Sequence, residues 1–375
     1  MLKKFNISRY ASYVVIGAIT LIFGIIALSG GRIDASTLYL MEKMAISIVL
    51  AVSLSMVVGF LGELSLGHAG FMCVGAYLGG KVASVLPAKV GAGIGGFLLA
   101  LLVGALVAAL CGIIIGIPAL RLRGDYLAIV TLAFGEIVKS MFLNSSDSSF
   151  GGATGLSTPR FDKKYFFIIA FVMVLLTVAV IQNVIHSKHG RAITAIRDNE
   201  IAAKATGINV TKYKLLAFTL SATFAGIAGV LYSFSNYNVQ STKFGYNYSI
   251  EILVMVVLGG MGSINGSIIA ATLITFLNTK LATVLTGDLA VLQNLIYAVI
   301  LVAIVIYRNA PSLKSFRERY NARAIFERIF KNGHHGNDSA DWDEIPTKIE
   351  MNEVLSIDMV PQDKQDFLNG NSGKD

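Results

Sequence analysis

The sequence has little charge, little proline and almost no cysteine or tryptophan. Of its 375 residues only 14% are charged, and it contains six prolines, two cysteines and one tryptophan. The two cysteines, Cys73 and Cys111, both lie in apolar runs, which excludes a disulfide framework and a cysteine-based metal site. Apolar residues make up 54% of the chain. Since about a quarter of the residues in a soluble domain are charged, the composition indicates a membrane protein.

The sequence also lacks the side-chain arrangements that catalysis or a bound cofactor would need. It contains no Ser/His/Asp set in a supporting context and no cluster of metal ligands. Residues 75–81 have the spacing of a nucleotide-binding P-loop, but Val82 follows where Ser or Thr should hold magnesium. No strand is predicted before this run. We therefore expect no enzyme, no cofactor and no ATP hydrolysis by this chain itself.

Ten apolar segments follow one another along the chain and predict an all-α, polytopic membrane protein. A full transmembrane helix needs about 20 residues, and several segments are shorter. We therefore expect about eight to ten transmembrane helices, some of them broken by glycine. The segments lie near residues 10–29, 43–62, 67–86, 92–118, 125–143, 164–185, 214–235, 250–263, 266–286 and 290–307.

Basic residues cluster at the ends of the apolar segments, which is typical of membrane topology rather than of nucleic-acid binding. The loop 186–213 and the segment 308–331 are the richest in lysine and arginine. With ten crossings, the positive-inside rule places both of them and both termini in the cytoplasm. We predict a transmembrane domain over residues 1–310. A cytoplasmic tail over 311–375 is first basic, then acidic, and partly disordered.

Two glycine-rich stretches, residues 62–80 and 258–271, interrupt the apolar pattern at similar places in the two halves. Such interruptions are typical of broken helices that line a transport pathway in folds with internal repeats. His68, Gly259 and Gly260 lie in these stretches and are candidates for that pathway. For His68 the alternative is a histidine that is simply hydrogen-bonded in place. Elsewhere glycine and alanine recur every four residues, a pattern that predicts close helix packing in lipid.

Polar residues supply further candidates for the pathway. Glu136 lies in an apolar segment, where an ionisable side chain is a functional candidate by default. The structural alternative is an ion pair with Lys139 on the same helix face. A loop that we expect to be periplasmic follows, and its residues could either guide a polar solute or form ordinary turns. The candidates in that loop are Gly151, Gly152, Thr154 and Gly155.

A short helix is predicted within the loop 186–213. Asp198 can cap its N-terminus, Glu200 lies in its first turn, and Gly207 stands where a left-handed C-terminal residue belongs. A helix of about two turns is marginal in water by itself, and this one has small apolar residues to expose. We expect it to dock into a groove of another protein. A solvated loop is the alternative.

Five motifs recur in the order of one known family, over roughly residues 40–307. They are LSLGHAGFMCVGAY, GDYLAIVTLAFGEIVKSMF, GGATGL, GRAITAIRDNEIAAKATGINVTKYKLLAFTLSATFAGIAGVLY and VLGGMGSINGSIIAA. The sequence thereby resembles the branched-chain amino-acid ABC transporter permease family, in its LivM branch. The resemblance implies an importer subunit in a bacterial inner membrane. It also implies that the short loop helix docks on an ATPase, with a coupling site made of Arg197, Asp198, Glu200, Ala202, Ala203 and Gly207.

The resemblance further implies a set of partners. They would be a second, LivH-like permease, two cytoplasmic ATPases, a periplasmic or lipid-anchored solute-binding protein, and the lipid membrane. The implied cargo is a branched-chain amino acid, while related permeases carry urea or short amides. Residues after about 310 depart from the family, whose members typically end soon after the last helix.

Two other classes of protein stay open. An ion-gradient-driven secondary amino-acid transporter would use the glycine breaks as a solute site and Glu136 as a proton relay. A non-transporting membrane scaffold would use the breaks for packing alone. If the chain is an importer subunit, we expect Glu200→Lys to uncouple transport while leaving the fold intact.

Overall fold

A computed structural model describes residues 34–284 except 92, 123, 160 and 162, together with residues 298, 299 and 302. By its internal contacts the chain divides into two units, Met1–Arg308 and Asn309–Asp375, and every described residue belongs to the first. The described part is almost entirely helical, which confirms the predicted all-α fold. The predicted helix near 10–29, nearly all of the segment near 290–307, and the tail 311–375 lie outside the described residues.

The first half of the described chain is a series of long helices with one early interruption. Helix α1 (Ala35–Ser55) runs directly into a π-helix (Met56–Leu61), and residues 62–67 are irregular. The helices that follow are α2 (His68–Val85), α3 (Ala88–Gly91), α4 (Ile94–Ala119) and α5 (Asp125–Leu143). The single turn α6 (Asp147–Phe150) and a 3-10 turn (Gly152–Thr154) then lead to strand β1 (Leu156–Ser157).

The second half contains the loop helices and a second interruption. Helix α7 (Lys163–His186) is followed by the short helices α8 (Lys188–Asp198) and α9 (Glu200–Ala205), and then by α10 (Val210–Asn236). Strand β2 (Asn238–Val239) pairs antiparallel with β1. A 3-10 turn (Ser241–Phe244), α11 (Tyr246–Gly259) and α12 (Ile264–Val284) complete the described part.

Six of the described helices are long and apolar enough to cross a membrane. They follow the predicted apolar segments closely, and Asp125–Leu143 coincides with the segment predicted at 125–143. The segment predicted near 250–263 is shifted, because α11 begins at Tyr246 and ends at Gly259. At 14 residues, α11 is shorter than the roughly 20 residues of a full span.

Both glycine breaks are shorter in the structure than the sequence predicts. Only residues 62–67 and 260–263 leave the helical path, and the remainder of 62–80 and 258–271 is helical. Helix α2 continues through its glycines because they permit close packing against other helices. A Cβ atom on Gly75 would lie 2.2 Å from the carbonyl oxygen of Gly226 on α10. These glycines therefore mark helix contacts rather than an interruption.

Helix α10 forms the largest packing interfaces in the described part, with α2 on one side and α4 on another. Small residues allow these close contacts. A Cβ atom on Gly229 would lie 2.1 Å from the carbonyl oxygen of Met72, and one on Gly112 would lie 2.8 Å from the Cβ of Ala222. The close packing predicted from the four-residue spacing of glycine and alanine is thus present.

This packing predicts opposite outcomes for two Gly→Ala substitutions. Gly229→Ala should lower the thermal unfolding midpoint, because overpacking a tight interface costs about 1–3 kcal/mol. Gly95→Ala, in the exposed first turn of α4, meets nothing within 4 Å. It should be neutral or slightly stabilising, since alanine is the better helix former by about 1 kcal/mol. Unfolding of both purified variants in detergent tests this, and equal midpoints would contradict the packing described here.

Candidate functional site

The loop between α7 and α10 folds into two capped helices. Ser187 caps α8, and its Oγ accepts hydrogen bonds from the backbone N–H groups of His189 and Gly190. Asn199 caps α9, and its Oδ1 accepts hydrogen bonds of 3.0 Å from the N–H groups of Ile201 and Ala202. The cap predicted at Asp198 is therefore wrong by one residue. Asp198 is still helical in α8, whereas Asn199 has the extended backbone (φ −158°) that a capping residue needs.

The C-terminal end of α9 is closed as predicted. Gly207 has a φ of +85°, the left-handed conformation that favours glycine. The N–H of Ile208 donates to the carbonyl of Ala203 at 3.1 Å, and that of Gly207 donates to Lys204 at 3.1 Å. These bonds satisfy carbonyls that the helix end would otherwise leave unpaired. A six-residue helix is thereby fixed at both ends.

One face of helix α9 is buried against the protein, and the other is exposed. Ala203 is buried against the rest of the protein, while Ile201 is 78% exposed and Ala202 and Ala205 are exposed beside it. A large aliphatic side chain standing free on a short, rigid helix suits docking into an apolar pocket of another protein.

Arg197, at the end of α8, contacts the π-helix and the first glycine break and lies close to the second break. Its Nη1 donates to the carbonyl oxygen of Gly59 in the π-helix at 3.1 Å. Its stem packs against Gly62, where a Cβ atom would lie 2.7 Å from the Arg197 Cγ. Asp198 Oδ1 accepts from Nε at 3.1 Å and from Nη2 at 3.0 Å, which fixes the plane of the guanidinium. Arg197 is therefore held firmly between the loop and the transmembrane part.

The π-helix that precedes the first break touches the second break through backbone. A Cβ atom on Gly59, near the end of the π-helix, would lie 2.6 Å from the backbone nitrogen of Gly262 in the break 260–263. The Nη1 of Arg197 would lie 3.5 Å from a Cβ on Gly262. Three segments that are far apart in sequence thus converge on one small region at the end of the bundle that carries α8 and α9.

A buried lysine joins the loop helix to the first break. Lys214, on α10, has a side chain only 5% exposed. Its Nζ lies 2.5 Å from Glu63 Oε1 and 3.2 Å from Glu200 Oε2. Glu63 belongs to the break 62–67, and Glu200 is the first residue of α9. We call Glu63, Lys214 and Glu200 the ion triad.

The local sequence pattern does not reveal two members of the triad. Lys214 follows directly after the basic loop 186–213, and Glu63 lies within the glycine-rich stretch 62–80. Both stand at the edge of an apolar segment, and an ionisable side chain in that position requires a partner. That requirement was the available signal, although it does not say which partner each residue finds.

Three further pathway candidates, His68, Gly259 and Gly260, lie in or directly beside the two breaks. His68 is the first residue of α2, and its Nε2 lies 2.8 Å from the Oγ of Ser53 in a fully buried position. Gly259 ends α11, where a Cβ atom would lie 2.5 Å from the nitrogen of Ser267, and Gly260 forms the turn that follows. These residues lie in buried contacts and in a turn.

Glu136 bridges two helices. Its Oε2 accepts from the Nζ of Lys139 at 2.8 Å, which is the pair that the spacing predicted. Its Oε1 accepts from the N–H of Tyr246 at 2.8 Å, so this carboxylate also stabilises the start of α11. The side chain of Glu136 remains 34% exposed and that of Lys139 26% exposed on the surface of α5.

The predicted external loop folds back on itself. The Oγ1 of Thr154 donates to the carbonyl of Gly151 at 2.6 Å, and Asn238 donates to the carbonyl of Thr154 at 3.3 Å. Gly151, Gly152 and Gly155 all have positive φ. These four candidates therefore form a tight turn beside the β1–β2 pair and do not join the region around Arg197.

The fold and the site define a multi-pass, all-α membrane protein in which a capped surface helix is bonded to broken transmembrane helices. A protein-family model described as branched-chain amino acid transport system / permease component matches residues 36–305. The chain belongs to this family.

Several relatives show the same relationship. The high-affinity branched-chain amino acid transport system permease protein LivM of Salmonella typhimurium is 36% identical over 278 residues, covering 66% of this chain and 62% of that protein. A probable LivM permease of Methanocaldococcus jannaschii is 27% identical over 51% of this chain and 57% of its own length. The ribose import permease RbsC of Escherichia coli is 30% identical over 51% of this chain and 57% of its own length. The chain thus spans about three fifths of the length of these relatives.

Proposed function

We propose that this chain is the membrane-spanning permease subunit of an ATP-binding-cassette importer that moves branched-chain, hydrophobic amino acids into the cytoplasm. Its partners would be a second homologous permease, two ATPases and a solute-binding protein. The observation that carries the proposal is the loop helix α9, which exposes Ile201 outward while Glu200 is bonded through Lys214 to a broken span. The positive-inside rule supports a cytoplasmic position for this loop and for both termini in a bacterial inner membrane.

The contacts around α9 suggest how force would reach the membrane part. When the ATPases close on ATP, they would move α9 and α8 together as one capped unit. The ion triad would carry that movement to residues 62–67, and Arg197 would carry it to the contact between Gly59 and Gly262. ATP drives such a switch only if it binds one of the two conformations more tightly than the other.

The exposed pair Glu136–Lys139 supports a place for the pathway. Charged side chains facing lipid at a span are costly, and they usually face protein or a water-filled cavity. We therefore propose that the surface of α5 around this pair faces the second permease and the solute pathway between them. Gly151, Gly152, Thr154 and Gly155 would lie at the entrance as a shaped turn rather than as ligands.

The partners are tested by purifying the tagged chain from its native membranes and identifying every protein that co-purifies. We expect a second permease and two ATPases. A chain that purifies alone, and transports an amino acid after reconstitution alone with an ion gradient, would favour the secondary transporter instead. Because the relatives include a ribose permease, uptake of leucine and of ribose should be measured side by side in the reconstituted assembly.

The docking role of α9 is tested by Ile201→Asp. Burying an isoleucine contributes about 1.5–3 kcal/mol, so a charge there should weaken ATPase association by about tenfold or more. The amount of ATPase recovered per permease is the measurement. Thr211→Asp adds the same charge at an exposed position on α10 and should leave recovery unchanged. Equal recovery from both variants would exclude Ile201 as the docking residue.

Glu200→Lys should affect folding as well as docking, whereas the sequence alone predicts that the fold stays intact. It would place a second cation beside the buried Nζ of Lys214, which Glu200 now approaches at 3.2 Å. The substitution should therefore disturb local folding as well as docking, and Ile201→Asp separates the two effects.

A further inference from the structure

A cavity of about 510 Å³ lies among α1, α10, α11 and α12. Its volume is within the range of about 300–1,000 Å³ that is usual for small-molecule sites. It is bounded by residues of spans and of the turn before α11, among them three tyrosines, Tyr39, Tyr232 and Tyr248. None of the residues of the coupling region lines it. The cavity is therefore separate from the site described above.

Three charged side chains line this cavity, the cations Lys43 and Lys243 and the carboxylate Glu251, and Lys43 and Glu251 stand on different walls. Lys43 is on α1, and its Nζ lies 4.7 Å from the centre of the Tyr39 ring. Glu251 is on α11, and its Oε1 accepts a hydrogen bond of 3.0 Å from the Nδ2 of Asn278. In the described part of the chain these two charges do not form an ion pair within 4.0 Å. Lys43 contacts Tyr39 on its own helix, and Glu251 is hydrogen-bonded to Asn278 on α12.

The cavity also differs from the Glu136 surface. Glu136 contacts α11 at Tyr246, whereas Tyr248 and Glu251 line the cavity. Glu136 reaches only the backbone N–H of Tyr246 on α11, and neither Glu136 nor Lys139 lines the cavity.

We propose that this cavity binds a free amino acid as a zwitterion. Its α-carboxylate would pair with Lys43, its α-ammonium group would pair with Glu251, and the rings of Tyr232 and Tyr248 would cover an aliphatic side chain. A lysine and a carboxylate on separate walls match the two charges of an amino acid, which a sugar lacks. The choice of ligand class rests on the proposed function, while the two charges and the cavity do not.

The test uses analogues of leucine that lack one charge. The permease assembly, purified with its partners but without a solute-binding protein, is incubated with radiolabelled leucine. The competitors are isoamylamine, which lacks the carboxylate, and 4-methylpentanoate, which lacks the ammonium group. The native protein should prefer leucine to each by about tenfold or more, because each charged hydrogen bond contributes strongly inside a protein. Lys43→Gln should lose the preference over isoamylamine only, and Glu251→Gln the preference over 4-methylpentanoate only.

Because each preference is a ratio within one variant, it does not depend on how much of that variant folds. Lys188→Gln, on the exposed start of α8, is the control and should retain both preferences. Two variants that lose both preferences equally, or a native protein without either preference, would overturn the proposal. ATP-driven uptake of any solute without leucine binding would also overturn it, while leaving the importer function standing.

Discussion

Lys214→Met should strongly destabilise the protein and abolish transport. Breaking a buried ion pair by removing one partner costs about 3–5 kcal/mol, because the other charge stays buried and unpaired. Lys214 is 5% exposed, and the side chain of Glu63 is 14% exposed. Glu200 is one third exposed, so water screens it and its share of the cost is smaller. The expected result is a much lower unfolding midpoint together with loss of ATP-driven uptake.

A second variant separates stability from transmission. Glu63→Gln combined with Lys214→Met removes the uncompensated carboxylate, so most of the lost stability should return. Uptake should stay low, since the bond between α9 and the first break remains absent. Thermal unfolding and ATP-driven uptake are both measured on the single and the double variant. If uptake returns together with stability, the ion triad serves folding alone.

Arg197→Met should uncouple ATP hydrolysis from uptake with little loss of stability. Methionine keeps an apolar stem against Gly62 but removes the guanidinium that donates to the carbonyl of Gly59. A hydrogen bond from a charged group contributes about 1.5–3 kcal/mol, so uptake should fall by about tenfold or more while the ATPases still hydrolyse ATP. The salt bridge to Asp198 is exposed and contributes little.

The matched control is Arg191→Met, the same substitution at an exposed position on the same helix. It should retain normal uptake. ATP hydrolysis and uptake are compared in one reconstituted preparation of each variant. A parallel fall of both activities in Arg197→Met would mean that Arg197 helps the ATPases to dock, and the idea of transmission to the breaks would have to be abandoned.

Much of the fold follows from local sequence. Spans such as Asp125–Leu143 are recognisable because length and apolar composition decide whether a helix can cross a membrane. The turn at Gly207 that closes α9 is predictable from the preference of glycine for positive φ. The first residue of α9 is not predictable in this way, because Asp198 and Asn199 are both good caps. Only the backbone conformation distinguishes the two.

The extent of the glycine breaks could not be predicted in the same way. Glycine weakens a helix, and it also allows two helices to approach closely, so one residue type gives opposite signals. Gly75 lies in an unbroken helix against Gly226, while Gly62 ends one. The partner helix decides between these outcomes, and a single sequence does not display it.

The contacts of the candidate site also join residues that are far apart in the sequence, so they too depend on partner helices. Lys214 and Glu63 are 151 positions apart, and Arg197 and Gly59 are 138 apart. The local pattern of the loop predicts Glu200 in the short helix, and the family resemblance implies Arg197. Neither predicts the contact of Arg197 with Gly59 or that of Glu200 with Lys214, because those contacts depend on how α1, α8, α9 and α10 pack.

The shortness of α9 has a consequence for inhibitor design. Six residues do not keep a helical shape in water by themselves. Here the shape comes from the amide of Asn199, the turn at Gly207 and the bond from Glu200 to Lys214. A linear peptide copied from this segment would lose most of these restraints and would compete poorly for the proposed ATPase partner. An effective mimic would need a chemical staple, or the whole α8–α9 loop grafted onto a rigid scaffold.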